Sequence, residues 1–137
     1  TVALRKRAAH FASEGVSLEF ITRDLAAAKD WLDGRGYPSF PEIPERIVNF
    51  RGMGCRTLDW GGHKIGLVCS SNADNKLVHL LIIDRAALKD ADSIGESFAG
   101  IEVHYERETG GWIGERHAFL LVGSEPEVKI GSLLAAK

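Results

Sequence analysis

Five histidines and two cysteines are the side chains here whose chemistry could go beyond packing. His104 stands two residues from Glu102 on one side and two from Glu106 on the other. Residues two apart in a strand project from the same face. Glu102, His104 and Glu106 are therefore a candidate carboxylate–imidazole metal set, although any solvated strand face shares the pattern. His79 and His117 stand in apolar runs. There a core imidazole with one satisfied nitrogen competes with a ligand or a catalytic base. Cys55 and Cys69 are too few for a disulfide framework and lack zinc-site spacing.

Other reactive patterns are missing. The chain has no G-x-S-x-G elbow for a serine hydrolase. Neither cysteine opens a helix or has a base close in sequence, so neither is expected to be an activated thiolate. Gly52-Met53-Gly54 is not followed by the last glycine and helix of a dinucleotide loop. Gly110, Gly111 and Gly114 read as hairpin turn residues, and the acidic pairs Asp90/Asp92 and Glu125/Glu127 fall in loops and caps. No catalytic residue and no cofactor is expected. Two alternatives stay open: a small-molecule- or metal-binding module using His79, His104 or His117, and a thiol-redox protein using Cys55 and Cys69.

The elements that would hold these residues centre on 53–85. Gly61-Gly62 supplies the positive φ angles of a tight hairpin between two alternating runs. A two-residue loop pairs Trp60 with His63, Leu58 with Ile65, Arg56 with Leu67 and Gly54 with Cys69. In that register Cys55 and Cys69 point to opposite faces, which forbids a disulfide without distortion. A one-residue bulge near Gly66 or at the turn would bring them opposite each other. Residues 77–83 are apolar on both faces, as in a covered central strand.

Flanking this meander, residues 3–13 are helix-compatible, and Arg5-Lys6-Arg7 reads as a solvated helix face. Residues 16–21 alternate as a short strand. Asp24 is a good N-cap for a helix ending at Gly34, with Leu25, Ala28, Trp31 and Leu32 buried. The proline-rich stretch 37–52 is too apolar for a free linker and is expected to lie across the core. Asp84 can cap a short helical turn. Residues 101–106 read as a strand with one wet face, Thr109-Gly110-Gly111 as a turn and 117–122 as a last strand. Ser124-Glu125-Pro126-Glu127 has the form of a capping box before a closing helix. The expected fold is α+β: a mostly antiparallel sheet of five or six strands with two main helices on one face. Residues 1–15 form a helical lead-in and 16–137 a single domain.

At 137 residues, 45% apolar and 26% charged, the chain is of ordinary composition for a one-domain globular protein. A net charge of −2 leaves no basic footprint for nucleic acid. No apolar stretch approaches the roughly 18–20 residues of a membrane helix.

The order of these signals resembles the region after the membrane helix in bacterial transmembrane anti-sigma factors, the regulators of extracytoplasmic-function sigma factors. The matching features cover residues 16–134. They begin with Thr22-Arg23-Asp24-Leu25, the helix ending Trp31-Leu32, and prolines 38 to 44. Next come Gly54-Cys55-Arg56-Thr57-Leu58-Asp59-Trp60, the glycine turn, the strand ending near Cys69, and Val78-His79-Leu80-Leu81-Ile82-Ile83-Asp84. The last are Leu120-Leu121-Val122-Gly123 and a terminal Leu133-Leu134. The family joins a cytoplasmic sigma-binding helical segment, often with an H-x-x-x-C-x-x-C zinc motif, to one membrane helix and an outer domain. This chain carries neither motif nor membrane helix, so the resemblance implies the outer, periplasmic domain of a single-pass protein. It implies a non-enzymatic sensory or interaction role toward a protein partner or small ligand. A sigma factor would be reached only through an upstream segment, and the membrane only through an upstream helix. No catalytic residue belongs to the pattern.

Overall fold

Gly61 and Gly62 adopt φ of 56° and 81°, and their turn joins β1 (Arg51–Trp60) to β2 (His63–Ser71). The computed structural model describes residues 2–40, 47, 49–88, 98, 100–131 and 133. The register is the one the two-residue loop dictates: Trp60 faces His63, Leu58 faces Ile65, Arg56 faces Leu67 and Gly54 faces Cys69. One bulge interrupts β1, between Gly52 and Gly54. It lies at Met53, not near Gly66 or at the turn, so it leaves Cys55 and Cys69 out of step. Both thiols are free and buried, on opposite faces of the sheet. A thiol reagent should therefore count two free cysteines in denatured, never-reduced protein and react slowly with the native chain. A count of zero would overturn the register.

The turn through Asn72 is held by its Oδ1, which accepts from the Asp74 and Lys76 amides at 3.0 Å each. It leads into β3 (Leu77–Asp84), which is buried from Val78 to Ile83. A second meander, β4 (Glu102–His104), β5 (Arg107–Ile113) and β6 (His117–Gly123), joins the first through antiparallel β3–β6 pairing. The sheet has six strands in the order β1-β2-β3-β6-β5-β4, all antiparallel. The class is α+β, as expected.

The helices lie on opposite faces of this sheet, not on one. α2 (Leu25–Gly34) buries Leu25, Ala28 and Leu32 against Cys55, Val68, Leu80, Ile82 and Leu121. α1 (Val2–Ser13) buries Ala8 and Ala12 against the other side, among Leu67, Cys69, Leu81, Leu120 and Val122. Strand alternation explains the outcome: every central strand is apolar on both faces, and each face needs its own cover. Asp24 caps α2, its Oδ1 accepting from the Ala26 amide at 2.9 Å. Phe40, Ile47 and the half-buried Phe50 spread over the α2 face, as expected of a crossing connection. Ile43, Val48 and most of the loop 89–99 lie outside the described residues.

Three local expectations fail. Residues 16–21 form no strand but one bridge, Phe20 to Cys55, at the β1 edge. Gly52 and Gly54 let residues 20–23 press so close that a side chain on Gly54 would strike the Phe20 carbonyl and one on Gly52 the Arg23 carbonyl. The second hairpin turns at Tyr105-Glu106, both in the left-handed region, and Thr109-Gly110-Gly111 lies inside β5. Gly111 is small because Phe98 and the Phe119 carbonyl crowd it. The capping box opens no helix where it stands: residues 124–130 run as turns and coil, with Val128 and Ile130 buried, and helical residues come only at 131 and 133.

Trp31 is half-buried, not fully buried. Its ring stacks on Phe20 at 5.7 Å, and the Arg35 guanidinium sits 4.0 Å from its centroid. Trp31→Ala should therefore cost about 1–2 kcal/mol, the scale of one aromatic pair plus one cation–π contact, less than the about 3–5 kcal/mol of a core aromatic. Urea denaturation distinguishes the two.

Candidate functional site

Among the described residues a cleft of about 640 Å³ opens between the end of α2, the residues that follow it, and the β5–β6 turn. Its floor is Phe40 and Phe119. Helical spacing sets Lys29 and Asp33 one turn apart, and Lys29 Nζ lies 2.6 Å from Asp33 Oδ2. Ser39 donates its hydroxyl to the other oxygen of Asp33. The Lys29 and Ser39 hydrogen bonds hold the Asp33 carboxyl below the usual carboxylate range. On the far wall, sheet register sets Asp84 opposite His117, with His117 Nε2 3.7 Å from Asp84 Oδ1. Asp84 stands at the N-cap of the following 3-10 turn, Arg85–Ala87, but its side chain makes no capping hydrogen bond. At the rim Tyr37 donates to Asp59 Oδ2 at 2.8 Å, which raises the phenol's pKa, and Lys64 lies 5.2 Å from the Tyr37 ring.

These groups balance one another. Three basic residues (Lys29, Lys64, Arg116) and three acidic ones (Asp33, Asp84, Glu115) line the cleft beside His117, so its walls favour neither an anion nor a cation. Ser39 and the Asp84–His117 pair share the cleft, but the Ser39 hydroxyl proton goes to Asp33. A triad would need that proton on the imidazole.

The other sequence candidates separate. Glu102 and His104 occupy β4, with His104 Nε2 3.0 Å from Glu102 Oε1. Glu106 falls in the turn, because the strand ends two residues earlier than its alternation implies. The His104 hydrogen bond and the nearby Arg5 hold the Glu102 carboxyl below its usual range. Among the described residues no three His, Cys, Asp or Glu side chains gather as a metal cluster.

Arg5 is the residue that the sequence reading missed. It is 1% exposed, not part of a solvated face. It donates at 2.6 Å to both the Phe98 and Gly100 carbonyls and lies 3.7 Å from Glu102. Burial lowers its pKa, and Glu102 partly offsets that. The available signal was small-residue spacing: Ala8, Ala9 and Ala12 lie three, four and seven residues on from Arg5, and that stripe is the buried one.

His79 is 3% exposed, and its Nδ1 has no hydrogen-bond partner among the described residues. Burial pushes its pKa down to about 4, so it stays neutral at neutral pH. The sheet sets it directly across from Cys69, whose thiol burial pushes up to about 12. Cys55, on the other face, is pushed up to about 11. Neither thiol is poised as a nucleophile, and the two cannot bridge. Among the described residues no helix is long and apolar enough to cross a membrane. Comparison with protein-family models, with curated proteins and with solved structures gives no match.

Proposed function

We propose that this chain is a non-enzymatic sensory or interaction domain of a membrane-anchored, anti-sigma-like regulator, lying on the extracytoplasmic side. It would bind a partner or small ligand and thereby change the regulator's stability or its proteolysis. The order of sequence signals over residues 16–134 supports the regulator class. The pairing within the cleft supports binding over catalysis: Asp33 holds both Lys29 and the Ser39 hydroxyl, and His117 faces Asp84. Such a cleft offers shape and alternating charge to a polar ligand and presents no activated nucleophile. A sigma factor would be held by an upstream segment and not by this sheet.

Topology is the direct test. Alkaline phosphatase, which folds to activity only outside the cytoplasm, is fused after Lys137 of the full-length protein, and β-galactosidase is fused at the same point. An active phosphatase and an inactive galactosidase are expected. The reverse pair would end the proposal. Deleting residues 16–137 from the full-length regulator should also alter transcription from promoters of an extracytoplasmic-function sigma factor.

A further inference from the structure

We infer that Met53, Cys69 and His79 form a binding site for a soft monovalent metal ion, Cu(I), on the α1 face of the sheet. The three side chains come from three adjacent strands and line one cavity of about 420 Å³, walled by Ala12, Val16 and Leu18. Cys69 faces His79 on one side and Gly54 on the other. Regular alternation would send Met53 to the opposite face from Gly54. The bulge between Gly52 and Gly54 re-aims it, so that Met53 packs on the same side as Cys69. Gly54, directly across from Cys69, has no side chain, and Leu18, a wall of the cavity, packs over it. The buried, unpartnered Nδ1 of His79 is the second observation that points to a ligand. A polar atom so placed is costly unless something occupies its lone pair.

The donor set selects the ion. Thiolate and thioether are soft ligands that favour Cu(I), and imidazole suits copper as well. On binding, the Cys69 S–H proton leaves to solvent and an S–Cu bond forms. His79 Nδ1 and the Met53 sulfur donate lone pairs, and no electron is transferred. One thiolate and one Cu(I) leave the site neutral overall, which a buried cavity tolerates. Zn(II) would leave a net positive charge there and lack its fourth ligand. Burial keeps His79 neutral and able to donate, and the ion itself drives the thiol to ionise. At the rim, Lys76 and Glu125 pair at 3.3 Å. The site lies on the sheet face opposite the charged cleft and does not depend on the regulator role.

The test is anaerobic titration of the purified chain with the coloured Cu(I)–bicinchoninate complex, with ascorbate as reductant. The wild type should withdraw one equivalent of Cu(I). Cys69→Ser and His79→Ala should each lose more than the roughly 10–100-fold in affinity that even an outer-shell partner supplies. Met53→Leu, a volume-conserving change, should weaken binding by about tenfold or more while leaving the metal-free melting temperature nearly unchanged. This keeps the proposal testable if the histidine variant fails to fold. Cys55→Ser, which alters the buried thiol of the other face, should bind as the wild type does. No withdrawal of Cu(I) by the wild type, full uptake in Cys69→Ser, loss in Cys55→Ser, or tighter binding of Zn(II) than of Cu(I) would each overturn the proposal.

Discussion

Arg5→Met should destabilise the protein by about 3–5 kcal/mol, the cost of removing one member of a buried charged network. The guanidinium donates to the Phe98 and Gly100 carbonyls at 2.6 Å and to the Thr109 carbonyl at 3.3 Å, with the Phe98 ring 5.4 Å away. Methionine replaces the volume and the aliphatic stem but none of the donors. The carbonyls would then lose their partner inside the fold, and Glu102 would lose its cation. Replacing a whole buried ion pair by apolar residues can be neutral, but here most of the partners are main-chain and cannot be replaced. Arg5→Lys should recover only part of the loss, because one ammonium cannot reproduce the planar fork. The neighbouring Lys6, exposed on the same helix, is the control: Lys6→Met should stay within about 0.5 kcal/mol. Equal midpoints for the Arg5 and Lys6 variants in urea would mean that α1 is not anchored through this side chain.

The same residue shows where sequence reasoning runs out. Charge clusters are usually solvated, and local spacing cannot reveal that distant carbonyls wait for a donor. The first meander was legible because its information is local. A Gly-Gly turn sets the register, and alternation then sets the faces of Leu58, Ile65 and Cys69. The second hairpin was not, since Tyr105 and Glu106 carry left-handed angles that such residues avoid at a cost of about 1–2 kcal/mol each. Their turn is supported from outside. The His10 ring lies 4.9 Å from the Tyr105 ring, and Arg107 donates to the Tyr105 carbonyl at 2.7 Å. Gly110-Gly111 suggested a turn by composition, but tertiary crowding explains Gly111.

The candidate sites divide along the same line. Glu102 and His104 share a face as strand spacing requires, whereas Glu106 is lost to a turn that no local signal marks. Cys69 and His79 stand ten residues apart in sequence, and only the β2–β3 register makes them neighbours. The helix faces were illegible for a related reason. Apolar residues on both sides of β2 and β3 show that two covers are needed, but not which helix takes which side.

Acid should unfold the metal-free protein through His79 before it does so through any carboxylate. The folded chain holds this imidazole down to about 4 from its ordinary 6.5, through burial. As pH falls, the unfolded chain therefore takes up the proton first and is favoured by it. The contribution is fully present above about pH 6.5 and is lost progressively until about pH 4, by roughly 3 kcal/mol in total. Glu19, Asp33 and Glu102 are also held below their usual values, but their contributions are lost only as pH falls below the ordinary carboxylate range, under about 4.5. At the cavity's rim, the charged Lys76 and Glu125 are paired with each other. Between pH 6 and pH 5 the slope should thus belong largely to His79 and approach about 1.4 kcal/mol per pH unit. Urea denaturation at pH 7, 6 and 5, in the presence of a chelator, measures it directly. His79→Leu removes the titrating group and fills the apolar site, so its stability should change little over the same interval. A wild type equally stable at pH 7 and pH 5, or a variant with an unchanged slope, would mean that His79 finds its proton without unfolding.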